Sequence, residues 1–210
     1  MSKYSDVLEK FLDFQRRSSD RPNEEELLKI HEDAKPYTED FLREGFEPES
    51  LIKILGFETI LDHSDLADEN VLDLARKKWV RKNIKAVLKN DFKNLPYNIT
   101  PTFVAKNCDE RYLHDLAEDC MLIESYVDEG GDSKVLFDRV VEVYGYKDYD
   151  VIATVITYGS VSEFDEDKLR ESFAEAKLVD ANKDYYAQLL TVSGYWSYDD
   201  AEKIASGKLY

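Results

Sequence analysis

Cysteine is scarce in this sequence. Only Cys108 and Cys120 occur in 210 residues, with no CxxC or Cys/His ligand spacing around them. That usage excludes a disulfide framework and a zinc ribbon, and suits a thiol pair kept reduced in a cytoplasmic protein. Glycine (8) and proline (5) are also few, which excludes collagen-like and low-complexity architectures. No GxxxxGK[ST], GxGxxG or GxSxG frame is present, and Gly130-Gly131 reads as a helix stop rather than a phosphate loop. Three histidines, His31, His63 and His114, fall in none of the HxxxH, HExxH or HxH frames. No run of 18 apolar residues occurs, and the first ten residues lack the apolar centre of a signal peptide, so neither a membrane span nor secretion is expected. Asn98-Ile99-Thr100 is then a chance glycosylation sequon. Positive charge is the last shortage: 28 Lys and Arg against 45 Asp and Glu leave a net charge of −17 and a pI near 4.6. A field of that sign repels phosphate backbones and anionic lipid unless cations are concentrated somewhere.

What remains is core-forming material: 43% hydrophobic residues, with 14 Tyr and 10 Phe, too much for an acidic disordered tail. Its spacing is helical. Tyr4, Val7, Leu8, Phe11, Leu12 and Phe14 recur at three and four residues up to the polar turn Ser18 to Pro22. Asn23 before Glu24-Glu25-Glu26 is an N-cap with acids where the helix dipole favours them. Short helices follow over 38–45 and 48–56, and a longer one opens at Ser64 and runs to about Asn90. Turn formers from Asn94 to Asn98 make residues 96–107 the candidate linker between a region 1–95 and a region 107–210. Beyond it, Leu113, Leu116, Cys120, Ile123 and Val127 form one apolar seam to Gly130, with Cys120 expected as a buried core thiol. Ser133 to Tyr144 is a further helix. Asp165, Asn182 and Ser197 are expected to cap three more. The fold class is all-α, a multi-helix bundle that divides into two helical subdomains. Residues 140–158 leave an alternative, because Val140 to Tyr144 and Val151 to Tyr158 are β-branched enough for a hairpin. Gly145 and Gly159 as stops and Asp150 as N-cap favour helix.

Three short motifs, Cys120-Met-Leu-Ile-Glu124, Val140-Val-Glu-Val-Tyr-Gly145 and Val151-Ile-Ala153, resemble an uncharacterised helical domain found in proteins of bacterial conjugative elements and phages. The resemblance covers about residues 107–178. It departs after Gly159, where Ser160 to Ala174 replaces the family's Gly-Arg-Phe-Ser. It implies a helical fold and a mobile-element origin, and carries over no catalytic residue.

Charge is unevenly distributed. Residues 1–60 carry a net −6, residues 61–106 a net +3 and residues 107–210 a net −14. The positive segment is the stretch 76–93, where Lys78, Arg81, Lys82, Lys85, Lys89 and Lys93 share one sector of a helical wheel, and Val80, Ile84, Val87 and Leu88 another. Such a face docks on nucleic acid or an acidic surface, or is neutralised by the protein's own carboxylates. In the acidic half, Asp148, Asp150, Glu163, Asp165, Glu166, Asp167, Glu171, Asp199 and Asp200 interleave with tyrosines, a composition that can oppose a basic partner. His114 has Asp109, Glu110, Asp115, Glu118 and Asp119 nearby, but their helical phase reads as a solvated face opposite the apolar seam rather than a metal site. No residue is nominated as catalytic, and no cofactor or metal is implied. The expected function is that of an acidic interaction or inhibitor protein of mobile-element type, binding a basic nuclease or host-defence complex by DNA charge mimicry. The alternatives are a nucleic-acid-binding regulator using the basic helix 76–93 and a small cytoplasmic enzyme.

Overall fold

The three- and four-residue apolar spacing is realised as helix. A computed structural model describes residues 3–161, 163–165, 167–169, 187, 191 and 197–205, and among them places twelve α-helices and no strand. The side chains of Lys3, Lys147, Tyr149, Asp150, Tyr198, Ile204 and Ala205 lie outside that description, as do the helix expected after Asn182 and most of the one expected from Asp165 to Ala176. The chain divides into two compact units, Met1–Lys82 and Asn83–Tyr210.

The first unit contains α1 (Lys3–Ser19), α2 (Glu24–Ala34), α3 (Thr38–Glu44), α4 (Pro48–Leu55), α5 (Phe57–Asp62) and the greater part of α6 (Glu69–Lys89). Helices α1, α2 and α4 pack on one another, and aromatic rings fill the space between α1 and α3. Phe11 stacks on Phe46 with ring centres 3.8 Å apart and meets Phe41 edge-on at 5.3 Å, while Phe14 abuts Phe41 at 6.1 Å. Offset and edge-to-face rings of this kind add specific geometry to the burial of apolar area. The stripe on α1 is narrower than its spacing suggests: Val7, Phe11 and Phe14 are buried, whereas Tyr4 and Leu12 are exposed. Asn23 caps α2 in a full capping box with Glu26. The long helix starts at Glu69 rather than Ser64, because the Asp68 carboxylate accepts the Asn70 and Val71 backbone N–H groups.

Gly56 ends α4 as expected and turns the chain directly into α5, a helix that the sequence pattern did not show. Its φ of 77° and ψ of 146° favour glycine, and a Cβ there would stand 3.1 Å from His31 Nδ1. His31 Nε2 donates to the Lys53 carbonyl at 3.1 Å, satisfying one of the last carbonyls of α4. Burial lowers the pKa of this imidazole below its ordinary value, against the opposing pull of that hydrogen bond and of Glu58.

The second unit contains the end of α6, then α7 (Pro101–Asn107), α8 (Glu110–Glu118), α9 (Cys120–Asp128), α10 (Ser133–Tyr144), α11 (Tyr149–Gly159) and α12 (Tyr198–Ala205). Its centre is α11, where Val151, Ile152, Ala153, Val155 and Ile156 are all buried and α8, α9 and α10 pack around them. A helix apolar on every side is stable only when enclosed. The segment 140–158 is thus helix rather than hairpin, although Asp148 and not Asp150 holds the N-cap position and Ser160, in the left-handed region, follows Gly159 as C-cap. The expected linker 96–107 contains α7, which is capped by Thr100 and packs on α10 through buried Val104 and Ala105.

The single seam expected from Leu113 to Val127 is two helices. Asp119 (φ −100°, ψ 109°) leaves the helical region, ending α8 and capping α9 by accepting the Met121 and Leu122 N–H groups. Leu113, Leu116 and Ile123 stay buried, Val127 is exposed, and Cys120 is only half-buried. The fully enclosed thiol is instead Cys108, whose pKa burial pushes up to about 11. Tyr126 is wholly buried, meets Phe92 edge-on at 5.6 Å and donates to the Asp132 carbonyl at 2.9 Å. Its ring lies where a side chain on Gly131 would stand, with Tyr126 Cε1 2.4 Å from an added Cβ.

Two outcomes follow. Gly131→Ala should destabilise the protein by about 1–3 kcal/mol, the usual cost of overfilling a packed site, read as a lower urea midpoint. The unfolded chain protonates His31 near its ordinary value of 6.5 while the folded chain resists, so this residue's contribution is present above that pH and is lost as pH falls through the folded-state value. His31→Gln keeps a donor for Lys53 and removes the titration. The fall in melting temperature below about pH 6.5 should therefore be steeper in the parent protein than in the variant.

Candidate binding surfaces

Helix α6 presents the basic residues to solvent. Lys78, Arg81, Lys82, Lys85 and Lys89 on the helix and Lys93 beyond it are all solvent-facing, while Val80, Ile84, Val87 and Leu88 are buried. Lys82 alone of these six makes an ion pair among the described residues, with Glu58 at 3.0 Å, and it also lies 5.3 Å from the centre of the Phe57 ring. The two cations preceding the stripe are engaged locally, Arg76 with Glu69 at 2.6 Å and Lys77 with Asp73 at 2.7 Å. Among the described residues, neutralisation by the protein's own carboxylates thus reaches one residue of the stripe.

The acidic candidates are placed differently from one another. Asp148 contacts His114; Asp165 caps the following turn by accepting the Lys168 N–H, which lowers its pKa, and Asp200 is tied to Ser197 and Lys203. Glu163, Asp167 and Asp199 are exposed, while Glu166, Glu171 and the Asp150 side chain lie outside the described residues. The structure therefore assigns part of this set to helix capping, a role that short polar side chains take wherever backbone N–H groups are left over.

A concave surface appears where the sequence reading nominated none. The end of α6, α8 and the start of α9 enclose a groove of about 620 Å³. Leu88, Tyr112, Met121 and Leu122 provide its apolar wall, and Asp91, Asp115, Glu118 and Asp119 outnumber Lys85 and Arg111 as its charges. Met121 is 74% exposed, an unusual position for a large apolar side chain among carboxylates. Met121 lies about 160° around α9 from the buried Ile123, on the side of the helix away from the core. The sequence signal was Met121 itself, an apolar residue off the spacing of Leu113, Leu116, Cys120, Ile123 and Val127.

His114 sits beside that groove with each ring nitrogen facing a carboxylate: Nδ1 is 3.2 Å from Glu118 and Nε2 3.2 Å from Asp148. Ionised carboxylates only accept, so both contacts are hydrogen bonds only when the imidazole is protonated at both nitrogens. The Tyr144 ring meets it edge-on at 5.6 Å, and the Tyr144 hydroxyl donates to the Glu110 carbonyl. The arrangement ties α8 to the start of α11. Among the described residues no three His, Cys, Asp or Glu side chains are grouped to hold a metal ion. His63 is spent on its own helix, with Nδ1 donating to the Thr59 carbonyl at 2.8 Å. No helix among the described residues is long and apolar enough to cross a membrane. Comparison with protein-family models, curated proteins and solved structures found no match.

Proposed function

We propose that the protein acts by binding, as an acidic interaction or inhibitor protein of mobile-element type whose partner is a basic macromolecule such as a nuclease or host-defence complex. The observation that carries this reading is the groove beside α8 and α9, in which an exposed Met121 and an apolar wall are bordered by more carboxylates than cations. Apolar area at the centre of a contact supplies affinity once water is excluded, and charges at its rim set sign and association rate. Exposed carboxylates at Asp109, Glu110, Glu124, Asp128 and Glu129, which make no ion pair among the described residues, extend the same negative sign along α8 and α9. A surface of that sign facing Lys and Arg side chains is the chemistry of DNA charge mimicry.

A second reading rests on the six exposed cations of α6 and its C-terminal extension, five of them without an ion pair among the described residues. It makes the protein a nucleic-acid-binding regulator despite the net charge, since a local array of lysines releases counterions from a phosphate backbone on contact.

Capture from a bacterial lysate at low salt should recover a basic protein that elutes as salt rises. That protein should be lost when Met121→Glu is combined with Glu118→Lys; retention of nothing salt-sensitive overturns the first reading. For the second, duplex DNA or RNA should shift at 50 mM salt, and Lys85→Glu, Lys89→Glu and Lys93→Glu together should abolish the shift. Absence of a shift in the parent protein rules that reading out.

A further inference from the structure

The first unit has a cleft of its own, opposite in sign to the groove of the second. It opens between α2, the α4–α5 corner and α6, with a volume of about 320 Å³, at the small end of the range for ligand pockets. Leu27, Leu28, Ile52, Leu55 and Phe57 give it apolar walls, and Leu28 is 58% exposed at its edge. Its charged lining is three ammonium groups, Lys53, Lys78 and Lys82, against the single carboxylate of Glu58. Glu58 is already paired with Lys82, so Lys53 and Lys78 are the cations left over, and neither makes an ion pair among the described residues. His31 contributes no free donor at Nε2, which is committed to the Lys53 carbonyl.

A positive, apolar cleft is the reverse of what a chain of charge −17 would present by chance. Two properties define what would fill it. The walls remove apolar surface from water at roughly 25 cal/mol per Å², so the occupant has a hydrocarbon body. The surplus cations are lysines, point charges without the planar fork of arginine, so the head group is selected by sign and not by a bidentate shape. The volume limits the body to a short chain or a single ring.

We propose that this cleft binds a small amphiphilic carboxylate, its apolar chain laid against Leu28, Ile52 and Phe57 and its head group facing Lys78 and Lys53. This site is independent of the groove beside α8 and α9, and of the partner proposed for it. It also makes the positive end of the α6 stripe part of a ligand pocket: Lys78 serves the cleft while Lys85, Lys89 and Lys93 lie outside it.

The test is calorimetric titration of the full chain with octanoate, with acetate, octanol and octylammonium as comparisons. Octylammonium is the informative control, because the net field of the protein attracts it and repels octanoate. Octanoate is expected to bind saturably with one site per chain and to raise the melting temperature, acetate not to bind, and octanol to bind more weakly than octanoate. Lys78→Glu and Leu28→Glu, both at exposed positions where the fold tolerates them, should each weaken octanoate by roughly tenfold or more. Lys89→Glu, on the same helix and outside the cleft, should leave the affinity unchanged. Non-saturating heats with octanoate overturn the proposal, as does saturable binding that neither Lys78→Glu nor Leu28→Glu alters. Octylammonium competing with octanoate for the same site would overturn it too, since the cleft would then not select for negative charge.

Discussion

Helix α11 has no polar side to offer to water. Between Val151 and Thr157 every residue is buried, so the second unit exists only insofar as other helices enclose this one. That requirement assigns the inner faces of α8, α9 and α10, and it relegates the acidic residues of those helices to their outer faces. The acidic residues exposed on α8, α9 and α10 are therefore a consequence of how the core is solved, since an unpaired charge is costly to enclose. The first unit meets its own need differently, through rings from α1, α3 and the turn after α3 that interlock around Phe41.

Much of this was legible from the order of residues. Apolar spacing at three and four gave the class of structure, Asn23 and Ser197 marked helix starts where the backbone N–H groups are in fact accepted, and Ser133 marked the first residue of α10, whose cap is the unread Asp132. The misreadings share a cause. A periodic pattern reports that two segments each have an apolar face, but is silent on whether the backbone between them is continuous. Leu116 and Cys120 kept the right interval across Asp119, and a single extended residue was invisible to that count. The stop at Gly56 was read, but the six-residue α5 after it was too short to show a period of its own, and the start of α6 moved from Ser64 to Asp68 because a carboxylate four residues on competed better for the free N–H groups. Which cysteine is buried could not be read from helical phase once the phase itself was broken.

The candidate surfaces were legible only in charge. The six-cation stripe of α6 was visible as a helical-wheel sector, and its exposure follows from the burial of Val80, Ile84, Val87 and Leu88 on the other side. Concavity was not visible at all. The groove that includes Met121 draws on three helices and the cleft that includes Leu28 on four, and their linings combine residues more than twenty positions apart. Tertiary packing, rather than local pattern, decides where apolar side chains stop short of burial and become available to a ligand.

The extended residue at Asp119 also shapes how the chain tolerates change over time. Within a continuous helix, inserting one residue rotates everything beyond it by about 100° and would carry the apolar side of α9 away from α11. With the two helices separated at one non-helical position, a shift in α8 ends there, and α9 takes its phase afresh from its own cap. The surface around Met121 can thus be remodelled by substitution or by a change of length in α8 without dragging the enclosed helix out of register.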